Sequence, residues 1–177
     1  ITLSILVLAA VYLPTETVVL STYFEDLGQP ANLGIVISAL AAGSAIGSFG
    51  YGWISVRLSR KNLVRTTLMG TAISILPMAF FPPLPILIIA GFFLGLSWGP
   101  FNPLVSSLIQ QRVPADQQGR VFGVQTAVFY AAPPLSMVAT GLSVESFGVR
   151  ATYLVLAAIL SLTAILALLT KSLRSNF

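Results

Sequence analysis

The chain has 177 residues, of which 56% are hydrophobic and only 8% are charged. A soluble protein of this size needs a polar shell around its core, and so few charged residues cannot form one. The composition therefore predicts an all-α membrane protein. The chain has neither cysteine nor histidine, which excludes disulfides, thiol catalysis and zinc sites built on those residues. We expect no cofactor and no metal.

Six apolar segments fill nearly the whole chain. Each is about 20 residues long, enough for a helix to cross a hydrocarbon core of ~30 Å. The predicted spans, numbered one to six, are residues 3–23, 33–56, 63–81, 86–109, 121–143 and 151–170. Because the gaps between them are short, residues 1–177 are expected to form one six-span transmembrane bundle.

The basic residues give the expected orientation. Eight of the nine lysines and arginines lie in alternate gaps or after span six, namely Arg57, Arg60, Lys61, Arg65, Arg112, Arg120, Lys171 and Arg174. By the positive-inside bias these gaps and both chain ends lie in the cytoplasm, in a multi-pass protein of the plasma (inner) membrane. The net charge of +4 is thereby explained by topology. The lipid bilayer is an expected partner and nucleic acid is not.

Two spans are interrupted by proline beside a polar side chain. Span one carries Pro14 next to Glu16, and span four carries Pro100 and Pro103 on either side of Asn102. These spans hold equivalent places if the bundle is a 3+3 inverted repeat, an arrangement in which broken helices mark the binding region. We therefore expect helix breaks or kinks at both places.

The gap after span two contains Gly52, Arg57, Arg60 and Lys61. At these positions it resembles a loop motif of the major facilitator superfamily. Val56 stands where the family has an acid, and Ser59 stands where it has a second glycine. Since this motif is degenerate in the second half of such proteins, the resemblance implies the C-terminal half. The alternative is that the four positions are only positive-inside anchors.

The gap after span four carries a second resemblance. It contains a proline, a polar turn and then Gly-Arg-Val-Phe-Gly, and its residues include Asp116, Gly119 and Arg120. This sequence is similar to a loop of bacterial drug and macrolide efflux exporters. The resemblance implies spans seven to twelve of a twelve-span transporter. The expected partners are then the N-terminal six-span half of the same transporter, or a second copy, together with a small-molecule substrate and protons.

Small residues recur at helical spacing in two spans. They are Ala39, Gly43 and Gly47 in span two, and Gly91, Gly95 and Gly99 in span four. Such faces allow close packing between helices. The alternative interpretation is that a smooth glycine face lets one helix slide against another during transport.

Glu16 is the only acid well inside an apolar span. Because an intramembrane carboxylate costs about 2.5 to 3.5 kcal/mol to insert, it is expected to face protein or a water-filled cavity, where it can couple a proton to solute movement. The alternative is a structural carboxylate bonded to Thr15, to Thr17 or to the other half. By resemblance, the candidates for proton coupling and the substrate cavity are Glu16, Thr15, Thr17, Asn102, Gln125 and Tyr130.

The functional expectation is proton-coupled efflux of small amphipathic compounds. The alternatives are a uniporter or uptake carrier of the same fold, and a six-span interaction protein or remnant without transport. Gly95 to Gly99 match the G-x-S-x-G pattern of hydrolases, with Ser97 as the nucleophile. That chemistry needs a strand-to-helix turn and a histidine base, so we do not expect an enzyme.

Overall fold

The computed structural model describes residues 11–169, apart from the side chains of residues 60, 61, 128, 132 and 167–169. Residues 11–14 are helical and lead into a π-helical turn at Thr15–Val19. The α-helices that follow are α1 (Leu20–Asp26), α2 (Pro30–Arg57), α3 (Arg60–Met78), α4 (Leu84–Trp98), α5 (Phe101–Arg112), α6 (Gln118–Phe147) and α7 (Val149–Leu169). No strand occurs in this range, so the predicted all-α class is confirmed.

Four helical segments within residues 11–169 are long and apolar enough to cross a membrane. They are α2, the α4–α5 segment, α6 and residues 149–166 of α7, which correspond to predicted spans two, four, five and six. Predicted span three corresponds to α3, which begins with Arg60 and Lys61 and is not among these four. The start of predicted span one lies outside the described residues. The chain is therefore a multi-pass membrane protein, while the number of six spans stays a prediction.

The helix α4 lies at the centre of the bundle. It packs against α2 on one side and α3 on the other, while α3 also packs against α7, and α7 against α6. Fully buried side chains from several helices form the core, among them Val36, Ile75, Leu87, Leu94 and Leu160. This arrangement places the α4–α5 junction inside the bundle, beside the helical segment that carries Glu16.

The connections at the end of the bundle away from the arginine-rich gaps are tight. Gly148, with φ at +82°, is the single residue between α6 and α7. Phe81 has a φ of +48°, which is rare for a residue with a side chain. Its ring is held by Tyr23, at a centroid distance of 4.1 Å, and by Tyr153, at 5.3 Å. These contacts hold Phe81 in its unusual conformation and tie the connection between α3 and α4 to α1 and α7.

Candidate functional site

The expected interruption at Pro14 takes the form of a π-helical turn. In this turn the amide of Leu20 donates to the carbonyl of Thr15, five residues earlier instead of four. A π-turn therefore fits an extra residue into the helix, and such turns are frequent at functional sites. Glu16 lies within the turn and is partly buried. The predicted irregularity is thus confirmed at the place where the intramembrane acid stands.

The expected interruption of span four is also present. The helix α4 ends at Trp98 and α5 starts at Phe101. Because Pro103 has no amide hydrogen, the carbonyl of Gly99 loses the donor that a regular helix would supply. The hydroxyl of Ser48, on α2, donates to that carbonyl at 2.7 Å. A neighbouring helix therefore satisfies the freed backbone group, as a break at membrane depth requires.

Three stacked rings join the two interruptions. The ring of Tyr12 lies parallel to Trp98 at a centroid distance of 4.4 Å, and Trp98 stacks on Phe101 at 5.0 Å. All three side chains are buried. We call Tyr12, Trp98 and Phe101 the aromatic column. The Tyr12 hydroxyl faces the Glu16 carboxyl group one helical turn away, so this acid stands at the edge of the column.

The threonines beside Glu16 do not bind it. Thr15 is buried and its hydroxyl donates to the carbonyl of Val11 at 2.8 Å, while Thr17 donates to the carbonyl of Leu13 at 2.7 Å. Each hydroxyl has only one hydrogen to donate. The alternative in which these threonines stabilise the carboxylate is therefore wrong, because both are used on backbone carbonyls of their own helix.

The other three cavity candidates lie on α5 and α6. Asn102 is exposed, and Tyr130 is 66% exposed. Gln125 is partly buried, and its Oε1 atom has no hydrogen-bond partner among the described residues. Their assignment to a substrate cavity stays a prediction.

The two glycine faces pack directly against each other. A Cβ atom on Gly43 would overlap the carbonyl oxygen of Phe92, and one on Gly95 would overlap that of Leu40. A Cβ atom on Gly47 would likewise overlap Leu96, and one on Gly99 would overlap Ser44. At Gly91, a Cβ atom would make only ordinary contact with Val36. The backbones of α2 and α4 are therefore interlocked along several turns. Such an arrangement is typical of close packing between membrane helices.

Residues of the first loop motif end α2 and begin α3. The Arg57 guanidinium lies 3.7 Å from the ring centroid of Trp53. Val56, at the position where the family has an acid, is 86% exposed. Ser59, at the position of the second glycine, caps α3 by accepting a hydrogen bond from the Asn62 amide at 3.4 Å. Gly52 lies in α2 with open space around it. The side chains of Arg60 and Lys61 lie outside the described residues.

Residues of the second loop motif are exposed. Asp116 lies in the turn between α5 and α6, and Gly119 and Arg120 lie in the first turn of α6; all three are exposed. The turn is held by Gln118, whose side-chain amide donates to the carbonyl of Val113 at 3.0 Å and to that of Gln110 at 3.2 Å. The role of this glutamine could not be predicted from the sequence, because its partners are backbone atoms that no motif displays.

The hydrolase-like pattern falls inside a helix. Ser97 belongs to α4 and packs against Gly70 of α3, where a Cβ atom on the glycine would overlap the Ser97 hydroxyl. The serine therefore lies at a helix–helix contact, not on a strand-to-helix turn.

Comparison with known proteins agrees with this architecture. The Mycobacterium tuberculosis (strain ATCC 25618 / H37Rv) protein named multidrug efflux pump Tap is 35% identical over 169 residues, which are 96% of this chain and 40% of that protein. Tap of Mycolicibacterium fortuitum is 33% identical, over 96% of this chain and 41% of its own length. Multidrug resistance protein MdtG of Escherichia fergusonii is 30% identical, over 85% of this chain and 38% of its own length.

The chain thus spans about two fifths of the length of these relatives. A family model described as Major Facilitator Superfamily matches residues 2–175. The resemblance inferred from the two loop motifs is confirmed by a match over almost the whole sequence. The chain belongs to the major facilitator superfamily.

Proposed function

We propose that this chain is the C-terminal six-span half of a proton-coupled exporter of small amphipathic compounds. Both chain ends would lie in the cytoplasm, at the plasma membrane. One observation carries the proposal: Glu16 stands in a π-turn at the edge of the aromatic column that joins two interrupted helices. The similarity to relatives named as multidrug efflux and resistance proteins supports efflux as the direction of transport.

The chemistry of the site suits a cationic, partly apolar solute. A carboxylate attracts a cation, while aromatic side chains offer apolar surface and negative ring faces. In this structure the ring faces cover one another, so only the partly exposed Glu16 is accessible. Separation of the two interrupted helices would uncover the faces of Tyr12 and Trp98 beside it. Proton binding at Glu16 would cancel its charge and release the cation. The proton and the cation would then move across the membrane in opposite directions.

The proposed partner is the N-terminal half of the same transporter. The length of the relatives supports it, since each is more than twice as long as the matched segment. Large side chains in the first half of α6, among them Val124 and Tyr130, are more than 60% exposed. Such faces need lipid or another helix bundle to cover them. Self-association of this chain is the competing arrangement.

Transport measurements on the complete protein test the proposal. The full-length transporter is reconstituted into vesicles, and movement of the fluorescent cation ethidium is followed with and without an imposed pH gradient. Proton-coupled export predicts that a pH gradient drives ethidium against its own concentration gradient. A uniporter or uptake carrier would move it only down that gradient, and an interaction protein would not move it. Either result would overturn the proposal.

A further inference from the structure

An apolar pocket of about 630 Å³ lies between α6 and α7, and Val11 also lines it. Its walls include Ser136, Thr140 and Ser143 on α6, and Thr152, Val155 and Ile159 on α7. The volume falls within the range of ~300 to 1,000 Å³ that is usual for small-molecule pockets. The aromatic column and Glu16 do not line it, so it is separate from the proposed transport site.

Despite its serines and threonines, the pocket has little to offer a polar ligand. The hydroxyl of Ser136 donates to the carbonyl of Pro133 at 2.9 Å, and that of Ser143 to Ala139 at 2.8 Å. Thr152 likewise donates to Gly148 at 2.9 Å. These three hydroxyls are occupied by their own helices, whereas Thr140, the fourth that lines the pocket, is buried without such a bond among the described residues. None of the described residues that line the pocket is charged. A buried water needs two to four polar partners, so the pocket favours hydrocarbon over water.

The surroundings of the pocket indicate where that hydrocarbon comes from. Both α6 and α7 contain segments long and apolar enough to cross a membrane. Next to the pocket, Val138 is 65% exposed, Leu142 is 60% exposed and Leu154 is 43% exposed. The outer surface around the pocket is therefore apolar and continuous with the lipid-facing part of a membrane protein. Acyl chains are the solvent there, and an empty pocket would forfeit dispersion contacts that they can supply.

From the dry lining and this location, we propose that the pocket between α6 and α7 binds the acyl chain of a bilayer phospholipid. A cationic amphipathic solute is a poorer occupant, because none of the described residues that line the pocket is an acid that could pair with its charge. Such a solute would also have to compete with lipid, which is present in the membrane at a far higher local concentration. The proposal depends on the membrane location of the chain and not on the transport function proposed above.

The test uses the full-length protein in phospholipid vesicles that contain a small fraction of phosphatidylcholine with a photoactivatable diazirine near the end of one acyl chain. After illumination, labelled peptides are identified by mass spectrometry. We expect labelling to concentrate on the residues that line the pocket. The variant Ser143→Phe places a ring in the pocket and should lower this labelling severalfold. The matched control is Leu142→Phe, on the exposed neighbouring position, which should leave it unchanged.

Two results would overturn the proposal. One is labelling spread evenly over the exposed faces of α6 and α7, with no effect of Ser143→Phe. The other is displacement of the label by excess ethidium, which would assign the pocket to transported solutes. If Ser143→Phe does not fold, Ser136→Phe on the same wall is the substitute, with the elution profile in detergent as the check of folding. If the full-length protein is labelled as expected but does not transport ethidium, the result would count against the proposed transport function alone.

Discussion

The ring of Tyr12 lies parallel to the indole of Trp98, with centroids 4.4 Å apart and planes within 4° of each other. Tyr12 precedes the π-turn, and Trp98 is the last residue of α4 before its break. The stacked rings therefore join the two irregular points of the bundle in this conformation.

The first prediction concerns coupling. In the complete transporter, Glu16→Gln should abolish ethidium accumulation driven by a pH gradient, because glutamine keeps the shape and hydrogen bonding of glutamate but cannot titrate. Movement of ethidium down its own gradient should continue at a lower rate, because the aromatic faces still offer a binding surface but the attraction of the carboxylate for the cation is lost. The measurement is transport rate against pH in vesicles with matched protein content. Glu25→Gln, an exposed acid on α1, is the control and should leave the pH profile unchanged. An unaltered profile for Glu16→Gln would remove Glu16 from the coupling mechanism.

The second prediction concerns the aromatic column. Trp98→Ala should lower the free energy of unfolding by about 3 kcal/mol, since it removes a buried ring that stacks on both sides. We expect the lower end of the usual range because an unfolded membrane helix exposes the ring to hydrocarbon, not to water. Denaturant titration in detergent measures this. Trp53→Ala, at a tryptophan that is 66% exposed, is the control and should change the stability by less than about 1 kcal/mol. Equal effects would mean that the column does not stabilise the bundle.

The third prediction compares two glycines in helices. Gly95→Ala should destabilise the bundle by about 3 kcal/mol or more, because its Cβ would overlap the backbone of Leu40 and force α2 and α4 apart. Gly141→Ala, in the last third of α6 with open space around it, should instead stabilise the protein by about 0.5 to 1 kcal/mol. Opposite signs are thus expected for the same chemical change. The yield of folded protein and its unfolding midpoint in detergent check both, and a tolerated Gly95→Ala would contradict the interlocked packing.

The fourth prediction concerns the break in span four. Ser48→Ala should destabilise the protein by about 1 to 2 kcal/mol, because the carbonyl of Gly99 would be left without a donor. Ser48→Thr retains a hydroxyl and should recover part of the loss. The same unfolding titration provides the measurement. Ser38→Ala, at an exposed position on the same helix, should have almost no effect. If Ser48→Ala behaves like Ser38→Ala, then water or another donor satisfies the carbonyl of Gly99.

The sequence by itself determined the features that depend on single helices and their residues. Composition predicts helices that cross a membrane, because only there can so many apolar and so few charged residues be stable. The helix irregularity after Pro14 and the break around Pro100 were predicted correctly, since a missing amide hydrogen acts on the helix that contains it. The glycine faces were also visible, because their spacing follows from the helical repeat. Two short motifs then indicated the family.

The contacts between helices were decided only by the tertiary structure. Nothing in the sequence pairs Tyr12 with Trp98 or assigns Ser48 to the carbonyl of Gly99, and the occupied hydroxyls of the pocket between α6 and α7 were equally hidden. The physical reason lies in the solvent. In a soluble protein, alternation of apolar and polar residues shows which face is buried, whereas lipid is as apolar as the interior of this bundle. Hydrophobic pattern therefore does not distinguish an inward face from an outward one, and packing shape alone chooses the partners.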